Sequence, residues 1–402
     1  MTLPENNKKC VLYISYDGIL EPLGRSQILS YLKALSSEYR IHLISFEKRK
    51  DLSDLTKKNQ LHKEIEEADI NWKALTYHKG RYFFGTFYDL FIGFLVSSFI
   101  LLINRIKIVH IRGYLPGLII WPQKNFFSFK LLFDMRGFWP DEKADRAGWS
   151  RDSKTYKFFK AFEKKLLKSS DTIVALTNES LEILSNERQE FSSSEVIRTC
   201  VDRSVFKQKD KKNNRKGFNL CHLGSVDTAY DIDPILDFVN SIDKEEGLKI
   251  HFLNRDKKEF IKAKCIEKGL DEESYSISYA EPNEISQFLS GIDLGCFFAK
   301  ENFSIKASMP TKIGEFMSCG IPILCNPFNL DIVEIIKEYQ VGFLHNFEDS
   351  ESNKKKFEEI KTSYTDDDLR ARCLDLSEKV FSLEKGVESY RSIYKKLIDR
   401  ND

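Results

Sequence analysis

The most informative stretch of this sequence is SMPTKIGEFMSCGIPI, residues 308–323. Ser308 or Thr311 can cap the N-terminus of a helix that has Pro310 near its first turn. Gly320 is placed to end that helix, and the apolar residues after the next proline predict a buried strand. A capped helix that leads directly into a buried strand is typical of parallel sheets with helices on both faces.

The rest of the chain repeats this alternation of amphipathic helical stretches with short apolar runs. The predicted strands of the first half are Cys10–Tyr16, Ile41–Phe46, Lys107–Ile111, Leu131–Asp134, Thr172–Leu176 and Glu195–Ile197. Those of the second half are Phe218–Leu223, Lys249–Asn254, Tyr275–Ser278, Leu294–Phe298 and Ile323–Cys325. Helical patterns stand out at Gln27–Ser37, Phe84–Ile103, Lys154–Leu167, Ser180–Asn186 and Leu383–Leu397. This rhythm predicts two successive doubly wound domains, which bind ligands at the carboxyl ends of their strands.

A charged segment without apolar residues, KQKDKKNNRKG, marks the predicted boundary between the two domains. We predict an N-terminal domain at residues 1–206, a linker at 207–217 and a C-terminal domain at 218–382. The closing helix, residues 383–402, can pack on either domain. Residues 1–206 contain 32 Lys/Arg and 25 Asp/Glu, a net charge of +7, whereas residues 207–402 contain 30 and 36, a net charge of -6. Opposite charges on the two halves indicate different partners.

The composition excludes several classes of protein. The chain has 402 residues, 42% of them hydrophobic and 31% charged, which is a soluble globular profile. Its net charge of +1 gives no sign of nucleic-acid binding. Its eight cysteines form no CxxC and lie at no metal-ligand spacing from histidines, which predicts reduced thiols in a cytosolic protein and no metal. No signal peptide is expected, and the uncharged stretch 90–103 is shorter than a membrane span, which predicts a core or interfacial helix.

The helix predicted after Ser308 carries residues suited to a nucleotide. Lys312 in its first turn adds a point charge to the free N–H groups and positive dipole end that bind a diphosphate. Glu315, about one turn later, can accept hydrogen bonds from a ribose diol. The alternative is a capped helix with a surface lysine and glutamate.

Two further segments follow predicted strands. Residues 17–27, DGILEPLGRSQ, contain glycines that let the backbone approach a ligand, although an ordinary turn explains them as well. Residues 134–142, DMRGFWPDE, combine acids, an arginine and aromatic rings, which suits the binding of a polar ring. The alternative there is a structural Asp–Arg pair beside a packed tryptophan.

Together these segments resemble GT-B fold glycosyltransferases of family 4. Residues 309–323 are similar to the nucleotide-sugar site of that family, and residues 16–27 to the start of its polysaccharide-biosynthesis members. Residues 134–142, 169–177, 223–225 and 381–394 agree with the same family. The resemblance implies an α/β GT-B fold, with two doubly wound Rossmann-like domains that face a central cleft. It also implies retaining transfer from a nucleotide diphosphate sugar, the donor substrate, without a cofactor.

The resemblance and the strand-end positions give a set of expected site residues. The expected donor-binding residues are Gly18, Gly24, Gly224, Ser225, Arg255, Pro310, Thr311, Lys312 and Glu315. The expected catalytic residues are Asp134, Arg136, Lys312 and Glu315, and the expected acceptor-binding residues are His110, Arg112, Trp139 and Glu142. A surface position is the alternative for Arg255, and a satisfied core histidine is the alternative for His110.

The sequence departs from the family at two important positions. The family's first glutamate would fall at Ala307, so that acid is missing, and Glu301 is the candidate to replace it. Many relatives have a histidine at the end of the strand where this chain has FDMR, residues 133–136. We therefore expect Asp134 or Arg136 to face the sugar instead. The identity of the donor sugar is therefore left open.

The acceptor and the location follow from the family and from one basic helix. Lysines recur at helical spacing in the segment 154–168, with aromatic residues on the other side, which favours contact with an anionic membrane. A solvated helix face is the alternative. We predict a cytoplasmic enzyme. If the basic helix contacts the membrane, the enzyme would be peripheral at the inner face of the plasma membrane. It would use a saccharide or polyprenyl-linked acceptor in surface polysaccharide or lipopolysaccharide synthesis. A nucleotide-sugar 2-epimerase of the same fold and a catalytically degenerate sugar-nucleotide-binding subunit are the alternatives.

Overall fold

The computed structural model describes residues 8–78, 84–187, 190–209, 217–364 and 367–399. It divides into two compact units. Unit 1 comprises Met1–Ala144, Gly148–Arg198 and Leu383–Asp402, and unit 2 comprises Asp145–Ala147 and Thr199–Ser382. Each unit is an α/β structure with its own sheet and core.

Unit 1 is built on a parallel seven-stranded sheet with the order β3-β2-β1-β4-β5-β6-β7. Its strands are β1 (Lys9–Ser15), β2 (Tyr39–Lys48), β3 (Ile70–Tyr77), β4 (Ile106–Arg112), β5 (Lys130–Asp134), β6 (Thr172–Ala175) and β7 (Ser194–Val196). The chain order reverses between β1 and β4, where open sheets of this type bind their ligands. The central strands are buried on both faces, so they read as nearly continuous apolar runs.

The helices of unit 1 cover both faces of this sheet. They are α1 (Pro22–Gly24), α2 (Ser30–Leu35), α3 (Arg49–Ser53), α4 (Leu55–Glu67), α5 (Phe84–Ile103), α6 (Tyr114–Ile120), α7 (Trp139–Arg146), α8 (Lys154–Ser169) and α9 (Asn178–Asn186). The closing helix of the chain, Leu383–Asp399, also belongs to this unit. It buries Tyr390 and Tyr394 through its apolar face, which anchors it.

Unit 2 repeats the plan with the strand order β11-β10-β8-β12-β13-β14, all parallel, and with β9 antiparallel to β12. Its strands are β8 (Asn219–Leu223), β9 (Tyr230–Asp231), β10 (Lys249–Leu253), β11 (Tyr275–Ser278), β12 (Leu294–Ala299), β13 (Ile323–Cys325) and β14 (Gly342–Leu344). Its helices are α10 (Asp233–Ser241), α11 (Lys258–Glu267), α12 (Ile285–Leu289), α13 (Thr311–Ser318), α14 (Leu330–Tyr339), α15 (Ser350–Tyr364) and α16 (Asp367–Leu376), and the closing helix of unit 1 is α17 (Leu383–Asp399).

The observed elements confirm the predicted α/β class and correct some details. The strands β3 and β14 were not predicted, because β3 alternates polar with half-buried residues and β14 has only three residues. The helix α13 begins at Thr311, and neither Ser308 nor Thr311 caps it: Pro310 occupies the N-cap position without a side-chain hydrogen bond.

The boundary between the units falls before the predicted linker. Thr199 Oγ1 donates to the carbonyl of Met309 at 2.8 Å, and the amide of Val201 donates to the carbonyl of Phe381 at 2.8 Å. These bonds attach the segment after Arg198 to unit 2. Of the predicted linker at 207–217, residues 210–216 lie outside the described residues.

The helix α5 is long and apolar enough to cross a membrane by length and composition, although core helices of soluble proteins meet the same criterion. The uncharged stretch 90–103 is too short for this, but the helix extends back to Phe84 because its one charged residue, Asp89, is buried and hydrogen-bonded. Only 28% of its most apolar window is buried. Eight of its large apolar side chains are exposed, among them Phe87 and Phe99.

Candidate functional site

The clearest candidate site in unit 2 is centred on Lys312, in the first turn of α13. Its ammonium group lies 3.6 Å from the centre of the Tyr230 ring and 5.3 Å from that of Phe297. Lys312 is only 5% exposed, and its Nζ has no hydrogen-bond partner among the described residues. A buried ammonium group held only by aromatic faces is costly, because water no longer solvates it. Such a group is therefore poised to receive an anion.

Glu315 lies one turn further along the same helix. Burial lowers the pKa of Lys312 to about 7, although the charge of Glu315 acts in the opposite direction. Burial likewise raises the pKa of Glu315 to about 7, with Lys312 acting in the opposite direction. Strongly shifted pKa values of this kind concentrate at functional sites. The two residues that the sequence singled out are thus the electrostatically unusual pair of this helix, rather than a surface lysine and glutamate.

The turn after β8 is shaped to leave its backbone open. Gly224 adopts a φ of +89°, and no atom lies within 4 Å of the position that a Cβ would take. Its carbonyl accepts a hydrogen bond from Asn254 Nδ2 at 2.8 Å, which fixes the turn. Ser225 is exposed beside it. Arg255 is also exposed and lies 5.7 Å from the centre of the Tyr279 ring, which agrees with the surface alternative for that residue.

Two buried residues that were not predicted as site residues, His222 and Tyr230, contact the Gly224 turn and Lys312. His222 lies 3.1 Å through Nε2 from the carbonyl of Ser225 and 3.2 Å through Nδ1 from that of Cys296. Burial, together with the nearby charge of Lys312, lowers the pKa of His222 to about 3, so the imidazole is neutral. The sequence offered two signals for these residues: His222 is a polar residue inside an apolar run, and Tyr230 follows the Leu-Gly-Ser turn closely.

A pair of asparagines holds the approach to α13. Asn329 Nδ2 donates to the carbonyl of Ser308 at 2.8 Å, while its Oδ1 accepts from the amide of Ile332 and caps α14. Asn326 forms two hydrogen bonds with Ala299 at the end of β12. Its Oδ1 accepts from the Ala299 amide at 2.8 Å, and its Nδ2 donates to the Ala299 carbonyl at 2.9 Å. These bonds fix the loop that carries Pro310 and Thr311 into the helix.

The missing acid of the family has no counterpart at its own position. Ala307 is fully buried at the end of a short 3₁₀ turn, Phe303–Ala307. Glu301 is exposed in the loop after β12. Its assignment as a replacement stays a prediction.

In unit 1 the predicted catalytic Asp134 lies at the end of β5 in a buried charged network. Its Oδ2 is 3.3 Å from Arg112 Nη1 and accepts a hydrogen bond from the Tyr390 hydroxyl at 3.0 Å. Arg136 Nη1 approaches Oδ1 at 3.9 Å. Burial alone would raise the pKa of Asp134, but the neighbouring Arg136, His110 and Arg112 outweigh it and lower the pKa to about 2. Asp134 is therefore a buried anion at neutral pH.

His110 belongs to the same network. It is 2% exposed, and its Nδ1 lies 2.8 Å from the Tyr394 hydroxyl of α17. Burial lowers its pKa, so the ring is neutral at pH 7. This environment favours the core-histidine interpretation over acceptor binding. Arg112, which is 8% exposed, reaches further out, with its Nε 4.0 Å from Asp17.

The glycines near the start of unit 1 are explained by close packing. A Cβ on Gly24 would lie 2.0 Å from the carbonyl oxygen of Gly18, and one on Gly18 would lie 2.5 Å from Glu47 Oε2. Glu47 is itself fully buried and accepts hydrogen bonds from the amides of Ile19 and Leu20 at 2.8 and 3.1 Å. The loop therefore needs both glycines for its own conformation.

The predicted acceptor residue Trp139 lines a cavity of about 860 Å³ in unit 1. Its ring packs against Phe159, with centroids 4.8 Å apart, and Lys143 Nζ lies 5.4 Å from its centre. Glu142 follows on the same helix and is half-buried. Among the described residues, no group of three His, Cys, Asp or Glu side chains could hold a metal ion.

Comparison with known proteins places the fold. Residues 204–379 match the family model for glycosyl transferases group 1. A sucrose-phosphate synthase from Thermosynechococcus elongatus is similar in structure, with a TM-score of 0.75 and 12% identity over 98% of this chain and 100% of that one. A glycosyltransferase from Rickettsia africae has a TM-score of 0.71 and 15% identity over 98% and 99% of the two chains. HepE from Anabaena, in complex with UDP and glucose, has a TM-score of 0.66 and 12% identity over 96% and 99%.

A lipopolysaccharide outer core galactosyltransferase, WaaB, has a TM-score of 0.64 and 11% identity over 96% of this chain and 99% of that one. The search of curated protein sequences finds no match. Residues 204–379 of unit 2 are thus similar to glycosyl transferases group 1, and the two parallel-sheet Rossmann-like units have the fold of GT-B glycosyltransferase structures.

Proposed function

We propose that this protein is a retaining glycosyltransferase that moves a hexosyl group from a nucleotide diphosphate sugar to a saccharide or polyprenyl-linked saccharide. The observation that carries the proposal is the buried, unpartnered ammonium group of Lys312 at the start of α13. It lies within the segment that matches glycosyl transferases group 1. A donor diphosphate supplies the anion that this group lacks.

In the proposed reaction, the bond from the anomeric carbon to the diphosphate breaks while a bond to the acceptor oxygen forms on the same face. The acceptor proton passes to the departing diphosphate oxygen. Lys312 and the first amides of α13 stabilise the negative charge that grows on the diphosphate. Glu315 accepts hydrogen bonds from the ribose hydroxyls, and the open turn at Gly224 lets the backbone approach the phosphates.

The relatives guide the choice of donor and product. HepE structures contain UDP, and WaaB is a lipopolysaccharide galactosyltransferase. We therefore assign the chain UDP-hexoses as the first donors to test, and surface polysaccharide or lipopolysaccharide assembly as its role.

Peripheral membrane association is part of the proposal, and α5 offers a second candidate contact beside the basic helix α8. In α8, Lys160 pairs with Asp141 and Glu163 at 3.2 and 2.6 Å, whereas Lys157 and Lys164 are exposed. The helix α5 exposes a continuous apolar stripe with helical periodicity. Its members are Phe84, Phe87, Tyr88, Phe91, Leu95, Phe99, Leu102 and Ile103. Burial of such a stripe in the membrane interface favours association.

The test is a transfer assay with a panel of UDP-hexoses and a mixture of lipid-linked and soluble saccharide acceptors. NMR of the product gives the configuration of the new linkage, and a parallel reaction without acceptor reveals any epimerised donor. We expect product with the donor's anomeric configuration, and loss of transfer in Glu315→Ala but not in Glu334→Ala, an exposed glutamate on α14. Inverted product, or epimerised donor without acceptor, would contradict the proposal.

A further inference from the structure

The large cavity of unit 1 is apolar on most of its wall. It measures about 860 Å³, within the usual range for small-molecule sites, and lies at the carboxyl ends of β1, β2 and β3. Its apolar lining residues include Phe87, Leu90, Leu115, Leu118, Trp139 and Phe158. Phe87 and Phe158 are also 71% and 56% exposed, so the apolar wall continues onto the surface. A hydrocarbon chain fits such a wall better than a saccharide does.

A second pocket of about 570 Å³ adjoins this cavity and has the opposite character. Lys48, Arg49, Lys50, Tyr77 and His78 line it, and Lys48 and Tyr77 also line the large cavity. Lys48 is paired with Glu21 at 2.6 Å. Arg49 and Lys50 are exposed, and within the described part of the chain neither has an ion-pair partner. Among the described residues that line the two pockets, five are cations (Lys48, Arg49, Lys50, Lys143 and Lys154) and two are carboxylates (Asp17 and Glu21).

The histidine of the basic pocket is held by a buried carboxylate inside the apolar helix α5. Asp89 is 1% exposed, and its Oδ1 lies 2.6 Å from His78 Nδ1. Its Oδ2 accepts hydrogen bonds from the His78 amide at 3.0 Å and from the Tyr16 hydroxyl at 2.8 Å. A carboxylate on Nδ1 fixes the ring and leaves Nε2 as its remaining polar atom. The role proposed for unit 2 does not use this arrangement.

We propose that these two pockets form one site for a lipid phosphate, with the phosphate in the basic pocket and the hydrocarbon chain along the apolar cavity. The inference rests on the proposed function and selects among its acceptors: the saccharide is carried on a long-chain phosphate or diphosphate. Arg49, Lys50 and the fixed His78 recognise the phosphate. The aromatic and aliphatic wall between α5 and α8 holds the first segment of the chain, and the exposed stripe of α5 directs the rest toward the bilayer.

Tryptophan fluorescence tests the site directly, because Trp139 and Trp149 both line the cavity. The full-length protein is titrated with farnesyl phosphate as a monomer, and in parallel with geranyl phosphate, farnesol and inorganic phosphate. We expect saturable binding of farnesyl phosphate and binding at least tenfold weaker for geranyl phosphate, since each buried methylene contributes about fourfold. Farnesol and inorganic phosphate should each bind more weakly than farnesyl phosphate, because each makes only part of its contacts.

Matched variants separate the two halves of the site. The double variant Arg49→Ala/Lys50→Ala should weaken farnesyl phosphate binding by roughly tenfold or more and leave farnesol binding unchanged, because only the charged contacts are lost. Lys107→Ala, an exposed cation on β4 that does not line either pocket, is its control. Phe158→Ala should weaken both ligands, with Phe126→Ala, 80% exposed and outside the cavity, as its control.

Equal binding of farnesol and farnesyl phosphate would overturn the phosphate half of the site, and no binding of either would overturn the whole. Binding only to vesicles that contain phosphatidylglycerol, with none to soluble farnesyl phosphate, would also overturn it, in favour of a membrane-docking surface. Calorimetric titration of the same preparation with UDP tests the proposed function separately. If UDP binds and farnesyl phosphate does not, only the lipid-phosphate site is overturned.

Discussion

Replacement of Lys312 by methionine should stabilise the protein and abolish nucleotide binding together. Methionine keeps the length of the side chain and its packing against Tyr230 but removes the buried charge. A lysine whose charge stabilises the fold, through the faces of Tyr230 and Phe297, would behave in the opposite way, because loss of that charge would lower stability. The paired result therefore separates a binding role for the lysine from a structural one.

The magnitude follows from the pKa of Lys312, which burial lowers from 10.5 to about 7. Because the folded-state pKa is the lower one, folding penalises the charged form, fully below pH 7 and not at all above pH 10.5. The linkage relation gives a penalty of about 4 kcal/mol at pH 7 and about 2 kcal/mol at pH 9. This pKa already includes the attraction to Glu315, so we expect a net stabilisation of about 4 kcal/mol at pH 7.

The assay is the thermal unfolding midpoint of the full chain at pH 7 and pH 9, with and without UDP. For a unit of this size, about 4 kcal/mol corresponds to an increase of roughly 8–16 °C at pH 7, and about half of that is expected at pH 9. UDP should raise the midpoint of the wild type and leave that of Lys312→Met unchanged. The control is Lys337→Met, an exposed lysine of α14. A lower midpoint for Lys312→Met at both pH values would show that the charge of Lys312 does not destabilise the folded protein.

Three further changes test unit 1. Asp134→Asn should lower the free energy of unfolding by about 2 kcal/mol at pH 7, because the lowered pKa of Asp134 contributes stability above pH 4 that is lost as the pH falls toward 2. The unfolding midpoint of this variant should therefore approach that of the wild type at pH 3. A difference that does not change with pH would contradict this prediction. Tyr390→Phe removes the hydrogen bond to Asp134 and should cost about 1–3 kcal/mol in urea unfolding, whereas an unchanged midpoint would show that the bond contributes nothing. Gly24→Ala should destabilise by roughly 2 kcal/mol or more, since its Cβ would lie 2.0 Å from the Gly18 carbonyl oxygen, with Ser26→Ala as an exposed control that leaves thermal unfolding unaffected.

The sequence was most informative where burial alone determines the pattern. The central strands could be predicted to within a few residues, and Ile323–Cys325 matches the structure in both bounds. The half-buried edge strand Tyr275–Ser278 and the apolar helix Phe84–Ile103 were also predicted in both bounds. The edge strands β3 and β14 were missed, because β3 mixes polar with half-buried positions and β14 is only three residues long.

The candidate site was predictable in part for a different reason. Lys312 and Glu315 stand out because a lysine and a glutamate in an otherwise apolar helix need a partner. His222 and Asn329 were missed, because their roles depend on contacts with residues distant in sequence: the carbonyl of Cys296 for one and that of Ser308 for the other. The network around Asp134 was inaccessible for the same reason, as Tyr390 reaches it from the far end of the chain.

In the proposed function, α13 and the Gly224 turn bind the nucleotide diphosphate of a sugar donor. Isothermal titration calorimetry of UDP-, GDP- and dTDP-linked sugars tests it most directly, on the wild type, on Glu315→Ala and on the control Glu334→Ala. We expect selective binding of one nucleotide, weakened by about 1–3 kcal/mol in Glu315→Ala and unchanged in the control. Absence of binding of every one of these nucleotide sugars to the folded wild-type protein would rule out a donor site in unit 2.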